Sequence, residues 1–532
     1  MPVVRVRADL LTEEIAFTTG QSLREVLERA MIPVRFGCNG NGSCGLCRVR
    51  ITSGIVPDPS LQEFFLLGGD DRESGVRLAC CVRPGDDLSI EIAASGSHLA
   101  WRSLPQADEG VETPTAKALA PADHGSAGTY GVAVDLGTSQ ISVSLRDLGT
   151  GRRLAGRHGT NPQAALGADV MTRLVAAAGS GETAFLLRDR VVRVIGDGLA
   201  DIASRDGIDL SRVARLALVG NTAMLALLSG RNYALLVRPE TWMGTVDCLP
   251  ADTDGLAVAW ETPSAEIRIH PPLAGFVGSD LLAGVLATGM TEHEEPALLI
   301  DFGTNSEIAL WDGQALSVTS AAGGPAFEGS GMRCGLPAVP GAICRVEFRN
   351  RVVECTTIGG APARGLCGTG LVDLIAHLLR TGILSERGRL SGGHDKGYIL
   401  PDGDPPLVLT GKDVDLFQRA KAAVGSGIQA LMERAGISGD ELGHVYVCGT
   451  FGYGLDTGNA REIGLLPMVP EDRIRLCGNT ALAGCEELLL DPKADGRLEA
   501  IRRSAELVNL ARLPDFEELF LANLYLSPLG GA

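Results

Sequence analysis

The segment Val132-Ala-Val-Asp-Leu-Gly-Thr-Ser139 decides the fold of most of this chain, because it recurs later as Leu298-Leu-Ile-Asp-Phe-Gly-Thr-Asn305. Each copy reads as an apolar strand that ends in an acid, followed by a Gly-Thr turn into a second strand. A weaker echo pairs residues 216–221 with residues 445–450. The repeat predicts two related α/β domains that face each other across a cleft.

The two Asp-x-Gly-Thr turns have the chemistry of a phosphate site. A glycine turn offers backbone N–H groups and a threonine hydroxyl to phosphate oxygens, and an acid at the strand end binds Mg²⁺ directly or through water. Two facing turns would clamp one triphosphate between them. The candidate residues are Asp135 and Asp301 at the metal, with Gly137, Thr138, Ser139, Gly303, Thr304 and Asn305 at the phosphates.

A third segment, residues 444–454, reads as a strand that enters a glycine-rich turn. Its glycines, Gly449 and Gly452 among them, would let a flat adenine and its ribose lie against the backbone. Alone, such a segment is more often an ordinary turn, but its place after the second Asp-Gly-Thr unit favours an adenosine loop. Glu307 and Glu328 are interpreted either as acids in the cleft or as structural hydrogen-bond acceptors, and no general base is assigned.

Cysteines in the N-terminal region indicate a second chemistry. Cys38, Cys44 and Cys47 are spaced C-x5-C-x2-C in a glycine-rich loop, and Cys80 and Cys81 follow. This pattern resembles that of adrenodoxin-like ferredoxins and favours a [2Fe–2S] cluster over zinc or unrelated buried thiols. Adjacent strand residues point to opposite faces, so only one of the last pair can face the cluster. The resemblance to ferredoxins, whose pattern ends in Arg-Leu-Ala-Cys, favours Cys80.

The remaining cysteines lack tight spacing, which favours buried small side chains over ligands. They are Cys248, Cys334, Cys344, Cys355, Cys367, Cys448, Cys477 and Cys485.

Length, charge and composition set limits on function. The chain has 532 residues, enough for three or four structural units, and 45% hydrophobic residues, which excludes general disorder. Its net charge of −18 comes without any Lys/Arg-rich block, which argues against a nucleic-acid or anionic-membrane partner. We expect no signal peptide, no membrane span and a cytoplasmic location.

Composition and capping patterns predict the boundaries of the units. Residues 1–95 read as a β-grasp ferredoxin-like domain, and the Ala/Pro/Ser/Gly-rich residues 96–128 as a flexible linker. The two α/β units cover residues 129–297 and 298–532. A capping box at Ser22 and another at Thr410 each begin a helix, the second ending at Gly436, and residues 499–526 are also predicted to be helical.

From Tyr130 onward the order of motifs resembles the ASKHA superfamily of acetate and sugar kinases, Hsp70 and actin. The whole arrangement resembles the reductive activators of corrinoid proteins. Further segments support this resemblance: Asn161-Pro-Gln163, Gly167-Ala-Asp-Val170, Val219-Gly-Asn-Thr-Ala-Met224, Gly324-Pro-Ala-Phe-Glu-Gly329, Gly365-Leu-Cys-Gly-Thr-Gly-Leu-Val-Asp373, Gly464-Leu-Leu-Pro467 and Gly478-Asn-Thr-Ala-Leu482.

The resemblance implies a multidomain α/β protein, in which a [2Fe–2S] domain and a linker precede two ASKHA subdomains that bind Mg²⁺ and ATP. It also implies an enzyme that takes an electron from a donor protein and reduces Co(II) to Co(I) on the corrinoid protein of a methyltransferase system. A homodimer is left open. The alternatives are an ATP-driven activator of another low-potential enzyme, such as a dehydratase or reductase, and a nucleotide-gated docking module without catalysis.

Overall fold

The computed structural model describes residues 2–8, 11–30, 32, 47–67, 71–72, 74–92, 101–104, 129–167, 169–329, 331–349, 352–394, 396–400, 403, 406–449 and 451–530. The predicted ligands Cys38 and Cys44 lie outside these residues. The described elements form an N-terminal ferredoxin-like unit and two α/β subdomains, which confirms the predicted fold class.

The N-terminal unit is a mixed sheet with the strand order β2-β1-β5-β3-β4. Strand β1 lies parallel to β5 and antiparallel to β2, as in a β-grasp domain. Apolar residues of its first helix, Leu23, Val26 and Leu27, belong to the core of this unit. The elements are β1 (Val3–Ala8), β2 (Leu11–Ala16), α1 (Leu23–Arg29), β3 (Arg48–Ser53), α2 (Leu61–Leu66), β4 (Val76–Leu78) and β5 (Leu88–Ile92).

The first α/β subdomain has the sheet order β11-β10-β7-β8-β9-β6, and its core lies between this sheet and the helices that follow β9 and β10. The elements are β6 (Arg102–Ser103), β7 (Tyr130–Leu136), β8 (Gln140–Asp147), β9 (Arg153–Thr160), α3 (Val170–Gly179), α4 (Gly181–Asp206), β10 (Val213–Gly220), α5 (Thr222–Ser229), α6 (Asp254–Ala259), β11 (Glu266–Ile269) and α7 (Ser279–Thr288).

The predicted linker is wrong over residues 101–104. Arg102 and Ser103 pair with β9 as an edge strand of the first subdomain. The indole of Trp101 is buried in the core of that subdomain, where Gly159 and Gly198 leave room for it. One apolar residue does not change the overall composition of a polar, Pro/Gly-rich stretch, so composition alone did not reveal the role of Trp101.

The second α/β subdomain has a main sheet in the order β21-β20-β12-β13-β14-β22, with smaller sheets inserted between β14 and α9. The elements are β12 (Ala297–Phe302), β13 (Ser306–Trp311), β14 (Leu316–Ala321), β15 (Ala342–Arg349), β16 (Val352–Thr357), β17 (Gly365–Leu366), α8 (Gly368–Arg380), β18 (Tyr398–Leu400), β19 (Leu407–Leu409), α9 (Gly411–Ala435), β20 (His444–Gly449), α10 (Thr457–Glu462), β21 (Ile474–Gly478), α11 (Thr480–Leu490), α12 (Ala494–Ser504), β22 (Ala505–Leu507) and α13 (Phe516–Asn523).

Two helix predictions have different outcomes. Helix α9 begins after the Thr410 capping box and ends at Gly436, as predicted. The prediction of helix over residues 499–526 is right for the end of α12 and for α13 but wrong between them, where β22 pairs in parallel with β14. The strand forms by pairing with β14, which is distant in the chain, so the local sequence does not predict it.

The internal repeat is visible in the sheets. Strands β10 and β7 are parallel neighbours in the first sheet as β20 and β12 are in the second, and each central strand continues into an antiparallel hairpin. Helices α7 and α11 occupy equivalent places after β11 and β21. They cross at small residues: a Cβ added to Gly484 would collide with the backbone of Ala283, and one added to Gly284 would lie 3.1 Å from the Thr480 hydroxyl oxygen.

Candidate functional site

Two of the predicted cluster cysteines lie within the described residues and are brought together. Cys47 stands just before β3 and Cys80 just after β4, and their Sγ atoms are 3.3 Å apart. Neighbouring Cys81 has its Sγ atom 3.8 Å from that of Cys80, and burial raises the pKa of its thiol to about 11. The side chain of Ser60 is hydrogen-bonded to Cys81. The close approach of the Cys47 and Cys80 sulfurs fits a shared inorganic cluster.

The two repeated turns meet at the junction of the subdomains. Ser139 lies in the turn between β7 and β8, and Thr304 lies in the turn between β12 and β13. Their hydroxyl oxygens are 2.7 Å apart. Gly137 and Thr138 lie in the same turn as Ser139, and Gly303 and Asn305 lie in the same turn as Thr304.

A carboxylate joins these turns. Oε2 of Glu328 accepts hydrogen bonds from the Ser139 hydroxyl at 2.7 Å and from the Thr304 hydroxyl at 2.9 Å. Burial raises the pKa of Glu328, and its hydrogen bonds to these hydroxyls act in the opposite direction. The site thus offers converging hydroxyl donors to an anion, with a protein carboxylate bound to them in this structure.

Acidic residues gather beside the turns. Asp135 and Asp301 are each the last residue but one of their strands, β7 and β12, and Asp301 pairs with Glu307 on β13. Burial raises the pKa of Asp135 to about 6 and that of Asp301 to about 8, the latter also through the charges of Asp280 and Asp135. Burial and the charge of Asp135 raise the pKa of Asp280 to about 7. Mutually repelling carboxylates of this kind fit a divalent cation.

The geometry limits how such a cation would be held. Among the described residues, no three His, Cys, Asp or Glu side chains are close enough together to bind one metal ion directly. Mg²⁺ usually keeps several of its water ligands and uses only one or two carboxylates. The acids of the cleft therefore fit a Mg²⁺ ion that is bound largely through water.

Two asparagines that sequence reasoning did not assign to the site hold its parts in place. The side-chain amide of Asn479, at the start of α11, donates to Asp135 at 2.7 Å across the subdomains. The amide of Asn221, at the start of α5, donates to the Thr138 hydroxyl at 3.2 Å. A signal existed: Gly-Asn-Thr-Ala occurs at residues 220–223 and again at 478–481, in both cases directly after a buried strand. Asp280 was also missed, because nothing in its sequence neighbourhood repeats.

The proposed adenosine loop lies against the second acid. Gly449 ends β20 with φ +72°, and a Cβ there would collide with the carboxylate of Asp301. Gly452 packs so closely on the backbone of Gly478 that it has no room for a side chain either, and its carbonyl accepts the Gly478 N–H at 3.0 Å. The loop therefore needs glycine at both predicted positions, and it borders the acidic cleft.

None of the helices in the described segments is both long and apolar enough to cross a bilayer.

Comparisons with known proteins agree with this organisation. The model of the 2Fe-2S iron-sulfur cluster binding domain matches residues 7–85, that of the RACo middle region matches 130–293, and that of the C-terminal domain of RACo, the ASKHA domain, matches 295–530.

Individual relatives match over long stretches. The corrinoid activation enzyme RamQ of Eubacterium limosum is 30% identical over 98% of this chain and 98% of its own. The [Co(II) methylated amine-specific corrinoid protein] reductase of Methanosarcina barkeri is 30% identical over 74% of this chain and 76% of its own. The solved structure of a reductive activator for corrinoid, iron-sulfur protein is 26% identical, with a TM-score of 0.67 and 99% of each chain covered. The expected resemblance is confirmed, and the chain belongs to the RACo family, whose 2Fe-2S domain precedes a middle region and a C-terminal ASKHA domain.

Proposed function

We propose that this chain is an enzyme that uses ATP to deliver an electron to the cobalt of a corrinoid on a separate protein, so that Co(II) becomes Co(I). The observation that carries the proposal is the meeting of the two Asp-Gly-Thr turns, with the Ser139 and Thr304 hydroxyl oxygens 2.7 Å apart. The same chain carries the paired Cys47 and Cys80 sulfurs. Relatives whose names state corrinoid activation and corrinoid-protein reduction match it over most of its length.

The iron–sulfur ligands in this proposal are Cys38, Cys44, Cys47 and Cys80. The last two support the assignment, because their sulfur atoms already approach each other between β3 and β4. When bound, the [2Fe–2S] cluster supplies a one-electron carrier. Cys81 stays a thiol, which agrees with the raised pKa that its burial causes.

The nucleotide site in this proposal is the cleft between the subdomains. Backbone amides of both turns, together with the hydroxyls of Thr138, Ser139 and Thr304, bind the phosphates. Asp135 and Asp301 hold Mg²⁺ through water, with Asp280 beside them. The segment from Gly449 to Gly452 receives the adenosine. The support is the placement of these groups at one junction and the raised pKa of Asp301, which comes from burial and from repulsion by Asp280 and Asp135.

The coupling between ATP and the protein's shape follows from Glu328. This carboxylate bonds the hydroxyls of both turns, so a triphosphate that reaches both turns has to take its place. Displacing Glu328 moves the segment of residues 324–329, whose Phe327 ring packs against Phe302, Phe417 and Phe451. Nucleotide occupancy is thereby linked to packing in the second subdomain.

The partners in this proposal are a corrinoid protein and a separate electron donor, in the cytoplasm. The test is to mix the full chain anaerobically with a Co(II) corrinoid protein and excess reductant, and to follow the Co(I) absorbance with and without Mg-ATP. We expect ATP-dependent Co(I) formation that Asp301→Asn abolishes and that Asp472→Asn, a change at an exposed acid, leaves intact. Equal Co(I) formation by the parent chain with and without ATP would refute the proposal.

A further inference from the structure

Asn161 and Arg173 hydrogen-bond to the backbone carbonyls of the first phosphate turn, residues 137–139. The Asn161 side chain donates to the Gly137 carbonyl at 2.9 Å, and the Asn161 backbone N–H donates to the Ser139 carbonyl at 2.8 Å. Nη1 of Arg173 donates to the carbonyl between them, that of Thr138, at 2.7 Å. These two residues thus bind three successive carbonyls of the turn.

These hydrogen bonds have a geometric consequence for the turn. A peptide unit is planar and trans, so its N–H points away from its C=O. Because Arg173 fixes the Thr138 carbonyl, the N–H of Ser139 points to the opposite side from the guanidinium. Successive amides fixed in this way form an anion-binding surface. The buried segment therefore prepares the turn for phosphate before any ligand arrives.

Arg173 itself is fully buried and incompletely paired. Its Nε donates to the Gly167 carbonyl at 2.8 Å, while its Nη2 has no hydrogen-bond partner among the residues that the structure describes. Burial lowers the pKa of Arg173 to about 10, which still leaves it charged at neutral pH. Its attractive charge partners are Asp169 and Glu328. Glu328 is also the carboxylate that bonds the hydroxyls of both turns.

A buried cation acts strongly on a neighbouring anion, because little solvent screens its charge. We propose that Arg173 is a positioning residue for the terminal phosphate of ATP: it fixes the first turn through the Thr138 carbonyl, and its positive charge attracts the phosphate to the place where Glu328 now lies. This inference rests on the proposed nucleotide site. Arg173, which lies outside both glycine turns, would then make the site prefer the triphosphate to the diphosphate.

The test compares ATP with ADP. Titration calorimetry of the full-length, cluster-containing protein with Mg-ATP and with Mg-ADP gives the ratio of the two affinities for the parent chain, Arg173→Met, Arg173→Lys and Arg190→Met. Arg190 is the matched control, since it also donates to a backbone carbonyl of the same segment, that of Pro162, at 3.1 Å.

We expect Arg173→Met to lower the ATP-to-ADP affinity ratio about tenfold or more, because the third phosphate loses the attraction of a nearby buried positive charge. Arg173→Lys keeps the charge but cannot bond the Gly167 and Thr138 carbonyls together, so the ratio should fall less. Arg190→Met should leave the ratio unchanged. A purely structural role would weaken ATP and ADP equally.

An unchanged ratio in Arg173→Met would overturn the inference, and if that variant does not fold, an unchanged ratio in Arg173→Lys would do so. A parent chain that binds neither nucleotide would instead refute the proposed nucleotide site.

Discussion

The hydroxyl oxygens of Ser139 and Thr304 lie 2.7 Å apart, although the two residues belong to different subdomains. Both hydroxyls donate to one carboxylate oxygen of Glu328. The structure therefore has a protein anion at the place where two phosphate-binding turns converge. The role proposed for ATP depends on this relationship, since the nucleotide has to replace an interaction that already joins the subdomains.

The first prediction concerns that carboxylate. Glu328→Gln keeps an oxygen that accepts from both hydroxyls and removes a negative charge from the phosphate site. We expect Mg-ATP to bind about three- to tenfold more tightly at pH 8, a gain of roughly 1 kcal/mol. Titration calorimetry measures the affinity, with Glu433→Gln on the exposed face of α9 as the control. Weaker ATP binding by Glu328→Gln would mean that the carboxylate helps to bind the nucleotide.

Sequence patterns predicted the repeat well because each copy is local. Segments 132–139 and 298–305 each form a strand, a turn and a strand within a few residues, and they occupy equivalent places in their sheets. The capping box at Ser22 is also local, and the structure contains its hydrogen bonds.

Other features were beyond such patterns because they depend on distant contacts. Glu328 bonds residues 24 and 189 positions away in the chain, and Asn479 bonds Asp135 from 344 positions away. Trp101 becomes an anchor only because Gly159 and Gly198 leave space for its ring. No periodicity or spacing in one sequence records contacts of this kind.

The second prediction separates the adjacent cysteines. Cys80→Ser should sharply lower the content of [2Fe–2S] cluster or alter its spectrum, because Cys80 is the residue whose sulfur lies 3.3 Å from that of Cys47. Cys81→Ser should leave iron content and spectrum near those of the parent chain. Iron and sulfide analysis with visible and EPR spectra gives the comparison. The reverse pattern would move the fourth ligand to Cys81.

The third prediction concerns the crossing of α7 and α11. Gly484→Val should destabilise the protein by about 1 to 3 kcal/mol or more, because the new side chain meets the backbone of Ala283 at the junction of the subdomains. Gly496→Val on α12 is the matched control, since a Cβ there has open space. Urea unfolding provides the free energies. Equal losses in the two variants would show that the close crossing is not required.

The fourth prediction concerns pH and a buried base. Lys421 on α9 donates to the Tyr525 carbonyl at 2.6 Å, and burial lowers the pKa of Lys421 from its ordinary value of 10.5 to about 7. Between these two pH values the unfolded chain binds more protons at this site than the folded chain. The contribution of Lys421 to the free energy of unfolding therefore rises with pH above about 7 and is most unfavourable below it.

Lys421→Met removes this titration. The parent chain should gain about 2 to 3 kcal/mol of unfolding free energy from Lys421 between pH 7 and pH 9, and the variant should not show this gain. Lys412→Met, at an exposed position of the same helix, should show no such change. Urea unfolding at both pH values measures the difference. If the difference in unfolding free energy between Lys421→Met and the parent chain did not depend on pH, the lowered pKa of Lys421 would be contradicted.

A single-turnover measurement shows whether ATP is needed for the electron to reach the corrinoid. The full chain is reduced anaerobically, freed of excess reductant and mixed with a Co(II) corrinoid protein, with and without Mg-ATP, while the Co(I) formed per [2Fe–2S] cluster is determined by absorbance. We predict that Co(I) approaches one equivalent per cluster with Mg-ATP and stays far below that without it. The same Co(I) yield in the presence and absence of ATP would contradict this prediction.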